Sequence, residues 1–306
     1  MVSPHDPTRW SRAWFLLLTA ALLFSAALPA AGASPKAKEL FAQGTDAEQA
    51  GDFQSALPLF EQAVALDPKY AEAWLELGNC KLMLGRTEEA VEAFKEALRH
   101  KRNLAMAYVN LAFAYVQLGR YEEAVAECQK ALKRHPGNFQ LHGNLGEAYL
   151  QLERYAEAEV SFRQAIRFNP NWPLLHLGLG TACMAQEKFS EALEAYEYAV
   201  RLDPEFALSH LLVAEAYEAA GRHEEAVRAF EKAIERAPAR SGEKGMAEDN
   251  PEDAGTWFSL GRAYRNLGSY DKAAEAFQQV VRLEPEYEIV KTLDAALAEE
   301  LAGSLE

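Results

Sequence analysis

Cysteine is scarce in this 306-residue chain, which holds only Cys80, Cys128 and Cys183. An odd count leaves at least one thiol unpaired in an oxidising compartment, which argues against a fold held by a disulfide framework. We expect the three thiols to be small buried hydrophobic groups, because free cysteine is among the most buried residue types. The fold must therefore be held by hydrophobic packing.

Basic residues are also in short supply. The chain has 31 Lys and Arg against 46 Asp and Glu, which gives a formal net charge of −15 at pH 7. A protein that binds a nucleic-acid backbone needs a clustered basic face, so we expect no nucleic-acid partner. A neutral or basic protein partner fits this charge better.

Catalytic signatures are missing as well. The sequence has no nucleophile elbow, no phosphate-binding lysine loop, no zinc-protease helix motif and no pair of cysteines separated by two residues. His223 and Glu224 begin a zinc-type motif, but Val227 stands where its second His belongs. We therefore predict a protein that is not an enzyme and that carries no cofactor and no metal.

The first 33 residues are typical of an export signal. Arg9 and Arg12 precede an apolar run over residues 13–28, and the chain then reaches small residues up to Ala33. Signal peptidase accepts such a pattern, so we expect residues 1–33 to be a signal peptide cleaved after Ala33. The mature protein would then lie in a bacterial periplasm.

An uncleaved anchor remains an alternative for this segment. Residues 13–33 are mostly apolar and just long enough to span a bilayer, which would tether the protein to the inner membrane. The rest of the chain faces the periplasm in both cases, because the positive residues stay inside.

In the rest of the chain, glycine and proline occur mainly between the amphipathic segments. Prolines recur at intervals of 34 or 68 residues, at Pro68, Pro136, Pro170, Pro204 and Pro238. With this Pro numbered 32 in each unit, a small residue stands at position 20 and a bulkier one at position 24, as in Ala90 and Phe94. Each unit offers two amphipathic segments of about 13 residues, which predicts a helix-turn-helix repeat.

These columns resemble the tetratricopeptide repeat family. Its pattern has an aromatic residue at position 4, Leu-Gly at 7 and 8, Tyr at 11, Ala at 20, an aromatic at 24 and Pro at 32. The last repeat matches it nearly completely, with Trp257, Leu260, Gly261, Tyr264, Ala273, Phe277 and Pro285. The resemblance implies an all-α, right-handed superhelical α-solenoid.

Seven such repeats are predicted within residues 34–287, at 37–70, 71–104, 105–138, 139–172, 173–206, 207–240 and 254–287. Residues 241–253 carry turn formers and no apolar period, so we expect a loop inserted between the last two repeats. Residues 288–306 carry an apolar stripe on a charged background. They are expected to form a C-terminal capping helix and tail that cover the core of the final repeat.

Three histidines, His142, His176 and His210, occupy position 4 of consecutive repeats. A metal ladder would need further ligands one helical turn away, and the sequence supplies none. Position 4 is a packing site in the family, so we interpret the column as packing. A metal site and a pH-sensitive packing defect are the two alternatives.

The resemblance implies that the first helix of each repeat lines a concave groove and binds ligands through positions 2, 5, 6, 9, 12 and 13. This rule selects Asn79, Asn110, Asn144 and Glu147, with Glu76 beside them, in repeats two to four. Amide groups both donate and accept, so the row suits an extended peptide backbone. Exchange of Asn110 and Asn144 for alanine is expected to weaken binding with little effect on thermal stability.

Repeats five and six place apolar residues at the same positions. Leu177, Met184 and Leu211 are selected there, together with Leu174, Leu208 and Leu212. An exposed apolar strip would suit a partner helix, and burial beneath neighbouring repeats is the equal alternative. In the last repeat, Arg262 is selected as a contact for an acidic group.

The predicted function is thus an interaction scaffold that binds a peptide or a helix of an envelope complex. A recruitment subunit for a separate enzyme, or for secretion or glycosylation machinery, is the alternative.

Overall fold

The computed structural model describes residues 33–236 and 254–283. These residues form fourteen α-helices and no β-strand, as expected for an all-α repeat fold. The predicted signal segment (apart from Ala33), the inserted loop and the capping helix all lie outside the described residues. No helix in the described part of the chain is both long enough and apolar enough to cross a membrane.

The helices are α1 (Pro35–Gln49), α2 (Phe53–Leu66), α3 (Ala71–Met83), α4 (Thr87–His100), α5 (Ala105–Gln117), α6 (Tyr121–Leu132), α7 (Phe139–Gln151), α8 (Tyr155–Phe168), α9 (Pro173–Met184), α10 (Phe189–Leu202), α11 (Ala207–Ala219), α12 (His223–Arg236), α13 (Ala254–Asn266) and α14 (Tyr270–Leu283). Each predicted repeat holds one antiparallel pair of them. The pairs belong to two compact blocks, an amino-terminal block with α1–α8 and a carboxyl-terminal block with α9–α14.

Helix pairs close through contact between position 8 and position 24. The aromatic ring of Phe60 packs so tightly on Gly44 that a Cβ atom there would lie 2.8 Å from the ring. The same contact measures 2.9 Å between Gly146 and Phe162. A glycine at position 8 therefore lets the two helices approach and bury the ring, as the sequence columns indicate.

The turn inside each repeat adopts a left-handed backbone at position 15. Glycine supplies it in five repeats, for example Gly85 with a φ of 74°. Glu153 and Glu187 take the same position with φ values of 57° and 60°, and they are the only non-glycine residues of the described chain with a positive φ. A side chain in this conformation costs free energy, so these two turns carry local strain.

Position 4 fastens several first helices to the loop before them. The indole Nε1 of Trp74 donates to the carbonyl oxygen of Pro68 over 2.9 Å. His142 and His210 repeat this bond, each from Nε2 to the carbonyl oxygen six residues earlier, also over 2.9 Å. His176 instead stacks on Tyr198 with 4.3 Å between ring centroids. These contacts give the histidine column a packing role.

Tyr at position 11 joins three of the repeats to the repeat before them through a hydrogen bond. Its hydroxyl meets a polar side chain at position 25 of the preceding repeat, as in Gln129 Nε2 donating to Tyr149 over 2.9 Å. Tyr217 donates to Glu197 over 2.6 Å, and Tyr264 donates to Glu231. The last bond joins α12 to α13, so these helices stay packed across the insertion point between the sixth and seventh repeats.

Candidate functional site

The asparagine row lies on the first helices α3, α5 and α7 and is buried. Asn110 is 1% exposed, and Asn79 and Asn144 are buried with it. Each amide has a hydrogen-bond partner inside the protein. Their role in binding a partner stays a prediction.

Two of these amides form a chain with a carboxylate. Asn110 Nδ2 donates to Asn79 Oδ1 over 2.6 Å, and Asn79 Nδ2 donates to Glu76 Oε2 over 2.7 Å. Glu76 needs a donor, which fixes the orientation of the Asn79 amide and in turn that of Asn110. The chain therefore ends in two acceptor atoms, Glu76 Oε1 and Asn110 Oδ1, which have no hydrogen-bond partner in the structure.

Asn144 and Glu147 make a second set of contacts on α7. Asn144 Nδ2 donates to the carbonyl oxygen of Val109 over 2.9 Å and so ties α7 to α5. Glu147 accepts from Gln151 Nε2 over 2.9 Å, and burial raises the pKa of its carboxyl to about 7. Asn144 therefore joins two first helices, whereas the hydrogen bond of Glu147 stays within α7.

Glu48 brings a further carboxyl group to this part of the first-helix face. It lies in the last turn of α1, and burial raises its pKa to about 7. Burial, and then the charge of Glu48, raise the pKa of Glu76 to about 8. The two carboxyl groups thus act on each other in surroundings that penalise negative charge.

Sequence reasoning did not single out Glu48, although a signal was present. Glu48 stands at position 12, and the next four repeats have apolar residues there, Leu82, Val116, Leu150 and Met184. The sixth and seventh repeats carry Glu218 and Arg265 there. A carboxyl group at a position that is apolar in four of the seven repeats still indicates burial. The family rule names position 12 as a ligand position, so the two indications coincide at this residue.

The apolar residues of α9 and α11 are packed in the core. Leu177 is fully buried, and Met184 and Leu211 are buried too, as are Leu174, Leu208 and Leu212. Of the two alternatives, an exposed apolar strip and burial beneath neighbouring repeats, burial describes these residues. Leucine gains most by leaving water when neighbouring helices cover it. No contact in the structure tests whether these residues also bind a partner.

Arg262 is the selected residue that remains partly exposed. Its side chain is 43% exposed, and its Nη2 lies 2.8 Å from Glu218 Oε1, a carboxyl that is largely buried on α11. Burial raises the pKa of Glu218, and the nearby charge of Arg262 acts in the opposite direction. The guanidinium of Arg262 therefore offsets the negative charge of a carboxyl group on the neighbouring repeat.

Comparisons with known proteins agree with this architecture. A family model described as the C-terminal domain of cilia and flagella-associated protein 70 matches residues 20–241, and a tetratricopeptide repeat model matches residues 205–285. The uncharacterized protein MJ0572 of Methanocaldococcus jannaschii is 36% identical over 55 residues, or 18% of this chain. The matched stretch spans only 64% of that relative's length.

Solved structures extend the likeness over most of the chain. A tetratricopeptide repeat protein from Parabacteroides merdae is similar over 87% of this chain and 100% of its own, at 20% identity and a TM-score of 0.61. YrrB, described as having an unusual peptide-binding site, is similar over 67% of this chain and 99% of its own. Its identity is 22% and its TM-score 0.54, so this likeness concerns the fold.

Proposed function

Because the chain belongs to the tetratricopeptide repeat family, in the form represented by the C-terminal domain of cilia and flagella-associated protein 70, we propose that it is a non-enzymatic scaffold. Proteins of this family generally serve as platforms for other proteins. The proposed ligand is an extended peptide segment or a helix of a partner, held along the first helices of the repeats.

One observation carries this proposal. Glu76 Oε1 and Asn110 Oδ1 are buried on the first helices and have no hydrogen-bond partner. An unpaired buried acceptor costs about 1–3 kcal/mol, so a folded protein rarely keeps one at each end of a hydrogen-bonded chain without a use. A partner that donates hydrogen bonds to these atoms would remove that cost, and the backbone amides and side chains of a peptide are such donors.

The place of action is proposed from the amino-terminal segment. Residues 1–33 have the charge, apolar run and small-residue end of an export signal, so we propose that the repeats work in the periplasm within an envelope complex. A mature chain that begins at Ser34 in intact-mass analysis of a periplasmic extract supports export with cleavage. Full-length protein in the membrane fraction supports the anchor, and full-length protein in the cytoplasm contradicts both.

A peptide selection tests the binding proposal. The full chain is used to select from a library of random nonapeptides, beside two variants that add a tryptophan at an exposed position. Ala42→Trp places it on the first-helix face of α1, and Gln62→Trp places it on the second helix α2. Peptides that bind the wild type and Gln62→Trp but not Ala42→Trp support the proposal.

Both tryptophan variants replace exposed residues, so their thermal transitions are expected to match that of the wild type. Peptides bound equally by all three proteins would show that the binding surface does not lie on the first helices. An absence of any selected peptide would contradict peptide binding itself.

A further inference from the structure

We infer that Glu48, Glu76 and Asn110 form a pocket for a basic side chain, Lys or Arg, of the bound partner segment. The inference rests on the proposed peptide-binding function and specifies the chemistry of one subsite. We call this set of three residues the acceptor pocket.

When its carboxyl groups are ionised, the acceptor pocket offers only acceptors at its unpaired atoms. Asn79 and Asn110 have each given a donor to the chain that ends at Glu76, and Glu76 Oε1 and Asn110 Oδ1 are left without a hydrogen-bond partner. Glu76 is 3% exposed, so water does not freely satisfy it. A group that fits must therefore bring several N–H donors and no acceptor, which describes ammonium and guanidinium groups.

The acceptor pocket also lacks a cation of its own within the described residues. Lys81 pairs with Glu89 over 3.1 Å, and Lys101 pairs with Glu72 over 2.6 Å, so these two lysines are engaged elsewhere. Burial raises the pKa of both carboxyl groups, and the charge of Glu48 raises that of Glu76 further. The hydrogen bond from Asn79 acts on the pKa of Glu76 in the opposite direction, and no lysine or arginine is among the groups that act on either carboxyl. A partner cation would supply the missing charge.

Binding of a cation has a consequence for protons. The raised pKa values of Glu48 and Glu76, about 7 and about 8, mean that the empty pocket holds protons near neutral pH. A cation favours the ionised carboxylates and expels these protons, so affinity should rise as pH rises from 6 to 9. The other titratable groups that act here are Cys80 on α3, whose pKa is raised to about 12, and Asp52 and Glu61 around α2.

A peptide selection with two charge-matched variants tests the inference. The full chain, Glu76→Gln and Glu92→Gln each select from random N-acetylated nonapeptides at pH 8. Both variants remove one negative charge, but Glu92 lies on the outer helix α4 with a 72% exposed side chain. Gln keeps the shape of Glu and can still accept from Asn79, so both variants are expected to fold.

The expected result is one peptide position enriched in Lys and Arg for the wild type and for Glu92→Gln, and not for Glu76→Gln. Replacement of that residue by norleucine or citrulline should weaken binding to the wild type about tenfold, the size of one charge-assisted hydrogen bond. The same replacement should leave binding to Glu76→Gln unchanged. Wild-type affinity for the basic peptide should increase between pH 6 and pH 9.

Other outcomes overturn the inference in distinguishable ways. Selected peptides without a basic position would leave the scaffold function standing and remove the acceptor pocket. If the peptides selected by Glu76→Gln still have one position enriched in Lys and Arg, the preference for a basic residue comes from the net charge of the whole chain. A melting transition raised by calcium ions alone, and not by n-butylammonium, would assign the pocket to a metal. Failure to select any peptide would contradict peptide binding as well.

Discussion

The amino-terminal and carboxyl-terminal blocks use one helix-pair geometry with different chemistry on their first helices. In α3, α5 and α7 the buried amides and carboxyl groups stand at positions 6 and 9 of the repeat. At these positions α9 has Gly178 and Thr181, α11 has Leu212 and Glu215, and the two helices bury leucine and methionine at other positions of the face. Both blocks keep the small residue at position 8 and the aromatic ring at position 24 in most repeats. The repeat therefore fixes how helices pair, and the first-helix face varies independently of it.

The largest effect should follow from placing a charge in the apolar block. Leu177→Glu puts a carboxylate at a fully buried position with no donor prepared for it. We expect a loss of about 4 kcal/mol in the free energy of unfolding, because a buried unpaired charge is among the most damaging changes. Thermal unfolding followed by circular dichroism measures it, with Leu177→Met as the volume-matched control. A Leu177→Glu protein as stable as the control would mean that this face is open to water.

A smaller loss is expected from the polar block. Asn110→Ala removes the donor to Asn79 Oδ1 and leaves that oxygen buried without a partner. We expect a destabilisation of about 1–3 kcal/mol. This reverses the expectation from sequence that alanine here would hardly change the thermal transition. Urea unfolding is the measurement, and an unchanged midpoint would restore the picture of a free amide row.

A pH-dependent gain should distinguish the polar block further. The pKa of Glu76 in the folded chain is about 8, above the ordinary value of 4.5, so the folded state holds this proton more tightly than the unfolded state. The stability that this proton gives to the folded state is fully present below pH 4.5 and is lost as pH rises towards 8. Glu76→Gln should therefore increase the free energy of unfolding by about 1 kcal/mol at pH 9, which raises the melting temperature there. At pH 4 the melting temperature should be unchanged.

The exposed Glu92→Gln variant provides the reference for this pH dependence, and no change is expected from it at either pH. Equal melting curves for wild type and Glu76→Gln at pH 9 would show that Glu76 is already neutralised by a group at its site.

The smallest effect should be common to both blocks. Glu153→Gly and Glu187→Gly replace the two strained residues at position 15 with the residue that the other five repeats use. Each should stabilise the chain by about 0.5–1 kcal/mol, because glycine adopts a positive φ without a steric penalty. Melting temperatures of the two variants and of Gly221→Ala, which should lose stability, test this. A gain in one block alone would show that the turns are not equivalent.

The helix pairs could be predicted from sequence because one pattern recurs and each copy repeats the same contact. The small residue at position 8 and the aromatic residue at position 24 are visible in the sequence, and their side chains make the contact in the structure, as Gly146 and Phe162 do. The burial of Asn110 and Leu177 could not be predicted with the same method. A position rule states which residues share a face, and burial depends on how closely neighbouring first helices pack over it.

The bond between Glu231 and Tyr264, with the ion pair between Glu218 and Arg262, joins the last two repeats through side chains that lie outside residues 237–253. Neither contact uses a residue between 237 and 253. A reporter domain inserted in that range should therefore leave both contacts in place, and the repeats on either side should keep their register.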